Sequence, residues 1–210
     1  MGETVAVLPG WFVYVAALIS VVGIITYVRD TLAGKTFPHR VTWFLWGFIP
    51  LVTFVIQVHL EVGIQSVLTL TFAITPLAVL TASFISKRGS WSITTFDWIC
   101  GATSLVGLGF YLVTRHGVAA IVLLLIADFF AAIPTLRKSF TSPESETWTA
   151  FFAGLVSSVL TLGTITHWSF ATYAFPAYIA TQNAVEVAFI RYRIGPRFFS
   201  TDRIEDPVSS

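Results

Sequence analysis

Five long stretches of this chain carry no charged side chain, and that spacing decides what it can fold into. Residues 4–28 and 62–86 each run 25 positions without Asp, Glu, Lys or Arg; residues 147–166 run 20, and 41–58 and 168–185 run 18. A helix needs about 20 mainly apolar residues to cross a bilayer. Two further stretches fit the same pattern with one acid each: residues 90–113 hold Asp97, and 117–136 hold Asp128. Only 11% of the 210 residues are charged, against roughly 25% in an average soluble domain. Of those 23 charges, 11 fall in the short segments 29–40 and 191–206. The remainder cannot cover a globule with polar surface, which excludes a soluble enzyme, a nucleic-acid binder and a disordered chain. Lipid must take the place of water as the outer solvent.

The sequence therefore predicts an all-α membrane protein with seven transmembrane helices, near residues 7–28, 41–60, 64–86, 92–113, 117–135, 147–166 and 170–190. The first run is too long for a signal peptide and lacks a basic start, so it is expected to stay as the first helix. Lysine and arginine set the orientation. Arg29, Lys35, Arg40, Lys87, Arg88, Arg137, Lys138, Arg191, Arg193, Arg197 and Arg203 fall on one side of a seven-helix path, and Arg115 alone on the other. This places the N-terminus outside and the C-terminus in the cytoplasm, in the plasma (inner) membrane. The polar tail after Gly195 is expected to fray and to hold no site.

A short repeat divides the chain. Thr36-Phe-Pro-His-Arg-Val-Thr-Trp43 matches Thr141-Ser-Pro-Glu-Ser-Glu-Thr-Trp148 at four of eight positions, offset by 105. Both octets lead from a cytoplasmic loop into a helix. The expected organisation is 3+1+3: a first three-helix bundle over 1–88, a linker helix over 89–115, a second bundle over 116–195 and a tail over 196–210. One linker helix restores the orientation that three helices reverse, so the two bundles run parallel and pair about an axis along the membrane normal. Pro38 and Pro143 set the entry to the next helix. Thr42 and Thr147 are expected near N-caps, and Trp43 and Trp148 at headgroup depth as interfacial anchors. The same segments are the candidate inner gate.

The segment Ala132-Ile-Pro134-Thr-Leu-Arg137-Lys138-Ser-Phe-Thr-Ser-Pro143-Glu144-Ser-Glu-Thr147 resembles a PQ-loop: a proline near a helix end, a basic residue soon after, then a Ser/Glu-rich turn. With the 3+1+3 pattern, the chain resembles the SWEET and PQ-loop (MtN3-like) transporter family. Pro134-Thr135 stands where the signature has Pro-Gln. The family pairs asparagines on the third and seventh helices around its sugar; here Asn183 is the only asparagine, and the third helix offers the hydroxyls of Thr71, Thr75, Thr81 and Ser83. The resemblance implies a carrier for a sugar-like or amino-acid-like solute.

Asn183, Gln182 and Glu186 form the most polar cluster in any span, and Asn183 and Glu186 share a helix face. Lipid cannot satisfy such a face, so it should point into the bundle. Asn183 and Gln182, with Thr75 and Trp46, are the candidate solute contacts; the simpler reading of Asn183 is a hydrogen bond between helices. Asp128 and Glu186 are the candidates for proton coupling, because a carboxyl inside a span must be neutral, paired or wet; the simpler reading pairs Asp128 with a cation such as Arg29. Pro134 is the expected hinge, interrupting the fifth helix beside its loop. Asp97 suits a helix N-terminus, and His59 and His167 are expected in outer loops.

The leading function is a carrier working by alternating access between the two bundles. A non-transporting receptor or scaffold on the same fold is the alternative. No nucleophile or metal constellation points to an enzyme, the last helix has no lysine for a retinal Schiff base, and one cysteine, Cys100, allows no intrachain disulfide. No cofactor and no nucleic-acid partner are expected. The bilayer and a small solute are the expected partners, and a homo-oligomer is compatible with this scheme.

Overall fold

The structure, a computed structural model, describes residues 6–86, 94–114 and 117–201. Lys87, Arg88, Arg115, His116 and Arg203 lie outside the described residues, as do the side chains of Asp97 and Cys100. The regular secondary structure of the described residues is helical: α1 (Phe12–Leu32), α2 (Arg40–His59), α3 (Ser66–Ile85), α4 (Thr95–Thr114), α5 (Gly117–Thr141), α6 (Trp148–Gly163), α7 (Phe170–Tyr192) and α8 (Ile194–Thr201). Four segments are long and apolar enough to cross a membrane: Phe12–Leu32, Arg40–His59, Gly63–Ile85 and Gly117–Thr141. At 1.5 Å per residue, the 21 residues of α1 reach about 31 Å and the 16 of α6 about 24 Å.

The exposed surface is apolar and the interior holds the polar groups. On α1, Leu18, Val22 and Ile25 are more than half exposed. Asp128, Lys138, Glu146, Asn183 and Glu186 are all buried. This is the arrangement a lipid solvent requires, and the chain is an integral membrane protein.

Helix α3 packs against both α1 and α2, and α7 packs against both α5 and α6. The bundle is closed by α1 against α6 and by α2 against α5, while α4 lies mainly on α5. The α1–α6 seam is built from small residues. A Cβ on Gly23 would overlap the Cβ of Ala153, and Ser157 Oγ donates to the Ala16 carbonyl at 2.7 Å. Without a hydrophobic driving force between helices in lipid, this close approach and its hydrogen bond hold the seam.

Several local expectations change. Helix α5 does not stop near residue 135 but continues through Pro134 to Thr141. Proline costs one backbone bond inside a helix, yet Lys138 beyond it is held by buried partners, which keeps the last turns wound. Pro134 is thus an internal bend point, not a boundary. The N-cap of α2 is His39, whose ring accepts from Thr42 N; the Thr42 hydroxyl instead donates to Ala131 O of α5 at 2.9 Å. Thr147 holds the N-cap position of α6 without a side-chain cap bond and donates to Asp30 at 3.1 Å. Trp43 is 3% exposed and is a core residue, not an interfacial anchor, whereas Trp148 is 37% exposed beneath the Arg191 guanidinium. Residues 194–201 of the tail are wound into α8 after Arg193 takes a left-handed turn at φ 51°.

The two octets meet in space at the basic end of the bundle. Thr36 Oγ1 and Thr147 Oγ1 lie 2.6 Å apart, and Phe37 N donates to Ser145 O at 3.2 Å. Beside them Lys138 Nζ binds Glu146 at 2.6 Å and donates to the Phe37 carbonyl, and Tyr27 OH donates to the other Glu146 oxygen at 2.5 Å. Both side chains of the ion pair are fully buried. Breaking a buried pair by removing one partner costs about 3–5 kcal/mol, because the other charge is stranded. Glu146→Ala should therefore lower the unfolding temperature in detergent sharply. The double variant Lys138→Met/Glu146→Leu should be more stable than either single variant; a double variant no better than the singles would show that the pair's charges do not depend on each other.

Candidate functional site

A cavity of about 60 Å³ opens midway along the helices. That volume holds more than one water, and it is well below the roughly 300–1,000 Å³ of drug-sized ligand sites. Its occupant is therefore compact, or the cavity widens when the helices move. Asn183, Gln182, Trp46, Thr75 and Asp128, singled out on four helices in the sequence, all line it. So do Trp43, Phe72 and Phe151, which give it aromatic walls.

Each polar group reaches the cavity for a local reason. Thr75 Oγ1 donates to Thr71 O of its own helix at 2.8 Å, so the hydroxyl offers its remaining acceptor capacity inward. Asn183 Nδ2 donates to Ile179 O at 2.9 Å, one turn earlier. Its amide packs against the backbone of α6 at Gly154, where a Cβ would fall 2.9–3.1 Å from three amide atoms. Gln182 Oε1 and Trp46 Nε1 are buried without hydrogen-bond partners.

Asp128 is 1% exposed. Its Oδ2 accepts from Tyr178 OH at 2.8 Å, while Oδ1 makes no hydrogen bond of ordinary geometry and faces the Trp46 indole N–H. The pairing with Arg29 considered from sequence does not occur: Arg29 is exposed beside Asp30 at 3.8 Å. Tyr178 is the partner that sequence reasoning missed. Its position four residues before Gln182, on one helix face, was the available signal.

Glu186 does not line this cavity. It sits one turn beyond Asn183, 0% exposed, with neither oxygen hydrogen-bonded; Ser139 and the Lys138–Glu146 pair are its polar neighbours. The basic-end network begins directly under the cavity, since the Tyr27 ring packs on Trp43 and Phe151 at 4.6 and 6.2 Å between centroids. Pro38 and Pro143 are buried in the loops of that network, and Pro134 lies in α5 between it and Asp128. At the opposite end Gln57 Nε2 donates to Ala171 O, and Gln65 Nε2 to Thr164 O, both at 3.2 Å. Those bonds join α2 to α7 and the α3 entry to the end of α6. His59 lies at this end and is exposed. Among the described residues no group of three His, Cys, Asp or Glu side chains is placed to hold a metal ion.

Comparison with protein-family models, curated proteins and solved structures finds no match for this chain.

The Asn183–Gly154 contact makes a direct test. Gly154→Ala should push the Asn183 amide off the Ile179 carbonyl and into the cavity. The cost should be about 1–3 kcal/mol of stability, the usual range for overpacking, read by thermal unfolding of a protein that remains monodisperse.

Proposed function

We propose that this protein is a membrane carrier that moves a small polar solute through the cavity between two three-helix units. In this reading α1–α3 and α5–α7 are equivalent units, α4 links them, and all seven helices span the membrane with the basic end in the cytoplasm. The observation that carries the reading is the cavity itself. Residues from both units contribute to it, and it gathers a carboxyl, two amides and the hydroxyls of Ser20 and Thr75 at mid-height in a lipid-facing bundle. Polar side chains inside a membrane are costly and are kept where they bind or conduct something.

The packing supports the pseudo-twofold arrangement. Exchanging 1, 2, 3 with 5, 6, 7 turns the α1–α6 seam into α5–α2 and the α1–α3 and α2–α3 seams into α5–α7 and α6–α7, all of which are present. Parallel repeats of this kind place the solute site at their interface. Layers above and below the cavity supply two gates: the Tyr27–Glu146–Lys138 network with the two octets at the basic end, and the Gln57 and Gln65 bonds at the other. Alternating access then means opening one layer while the other stays shut, with Pro134 as the bend point between cavity and inner gate. Asp128 and Glu186 are the groups through which a proton could be coupled to that movement. Resemblance of the octet region to the PQ-loop family agrees with this scheme and supplies its first solutes to try, sugars and amino acids.

Two measurements test it. Proteoliposomes should take up a labelled solute from such a panel, and Asn183→Ala should cut uptake at least tenfold while leaving expression and monodispersity unchanged. Saturable binding without flux would favour a receptor on the same fold. For the topology, single cysteines on a Cys100→Ser background should label from the cytoplasmic side at Lys35 and Thr141 and from the outside at Leu60 and His167. Any other pattern removes the seven-span reading.

A further inference from the structure

We propose that the cavity takes a small organic cation, its positive head held by the Asp128 carboxylate against the faces of Trp46 and the neighbouring aromatic rings. This names the solute class for the carrier reading and rests on it only for movement across the membrane; the binding site stands separately.

Asp128 is a carboxyl without a cationic partner among the described residues. Asp128 is the one ionisable side chain lining the cavity among the described residues, and no Lys, Arg or His lines it. Lys138, the buried lysine further along α5, is committed to Glu146 and the Phe37 carbonyl. Among the described residues the polar groups facing the carboxylate are neutral donors, Tyr178 OH and the Trp46 N–H. Hydrogen bonds orient a carboxylate but do not cancel its charge; a carboxyl at this depth with no cationic partner stays neutral by holding a proton until a cation enters to balance its ionised form.

The walls select the kind of cation. A metal ion needs several ligands gathered on it, and among the described residues no group of three His, Cys, Asp or Glu side chains is placed to hold one. An alkylammonium head is attracted to the aromatic faces through the ring quadrupole, and most of all to tryptophan. Trp43 and Trp46 meet edge to face at 5.3 Å, and Trp46 meets Phe151 at 6.3 Å, so the rings form a continuous wall. Gln182 Oε1, unpartnered, and the Thr75 hydroxyl supply acceptors for the hydroxyl or N–H tail of such a molecule.

Choline and its uncharged isostere 3,3-dimethylbutan-1-ol separate charge from shape. Titration calorimetry on the detergent-purified full chain should show choline binding at least tenfold more tightly than the neutral alcohol, with sodium chloride at equal concentration giving no saturable heat. Asp128→Asn should erase the preference, and Glu61→Gln, at an exposed acid outside the cavity and both gates, should keep it. Equal affinity for the two compounds, no binding of either, a preference surviving in Asp128→Asn, or its loss in Glu61→Gln would each overturn the proposal; the first two need no variant and hold even if Asp128→Asn fails to fold. Flux of a neutral solute without choline binding would remove the cation site and leave the carrier reading intact. Choline binding without flux of any solute would do the reverse.

Discussion

Lipid offers no hydrogen bonds, and this constraint governs the whole structure. Every polar side chain placed within a span must find its partner inside the protein. Threonines and serines along α2, α3 and α6 satisfy themselves by donating to a carbonyl one turn back, as Thr53 does to Ile49 and Ser158 to Gly154. Charged groups cannot do this. Lys138, Glu146 and Tyr27 therefore converge from α5, the α5–α6 loop and α1, and that convergence ties the first loop of the chain to the corresponding loop near its middle.

The same constraint distinguishes the cavity from the rest of the interior. At the basic end the charges are matched, and both carboxylate oxygens of Glu146 are bonded. Half a helix away, Asp128 has a neutral donor on one oxygen and no ordinary bond on the other, while Trp46 Nε1 and Gln182 Oε1 are also unspent. Buried polar groups left open are expensive, and Asp128, Trp46 and Gln182 bring three of them to one void. Glu186 lies between these two regions, with Ser139 and the Lys138–Glu146 pair as its polar neighbours and neither of its own oxygens hydrogen-bonded.

The octets show how one sequence pattern takes different tasks in different surroundings. Thr36 and Thr147 come into direct contact, but their neighbours take different tasks. Trp43 turns into the core because α5 and α1 close over it, whereas Trp148 stays 37% exposed under Arg191. Helix-entry chemistry is equally uneven, with His39 capping α2 and no side chain capping α6.

Legibility followed the range of the interactions involved. Apolar runs are local, so a membrane-embedded helical chain was readable from charge spacing alone, and the shared helix face of Asn183 and Glu186 from a period of 3.6. Helix ends were less so: α5 outran its expected end because Lys138 is held by tertiary partners, and α8 formed where a frayed tail was expected. The candidate residues were each visible as a polar or aromatic group out of place in an apolar span. That Asp128 turns to Tyr178 and not to Arg29, that Trp46, Thr75 and Asn183 face one cavity while Glu186 does not, and that Lys138 finds Glu146 depended on contacts between helices far apart in the chain. Hydropathy fixes which segments leave water; it does not set the rotation of one helix against another, and only close packing at Gly23 and Gly154 and the pairing of buried polar groups decide that.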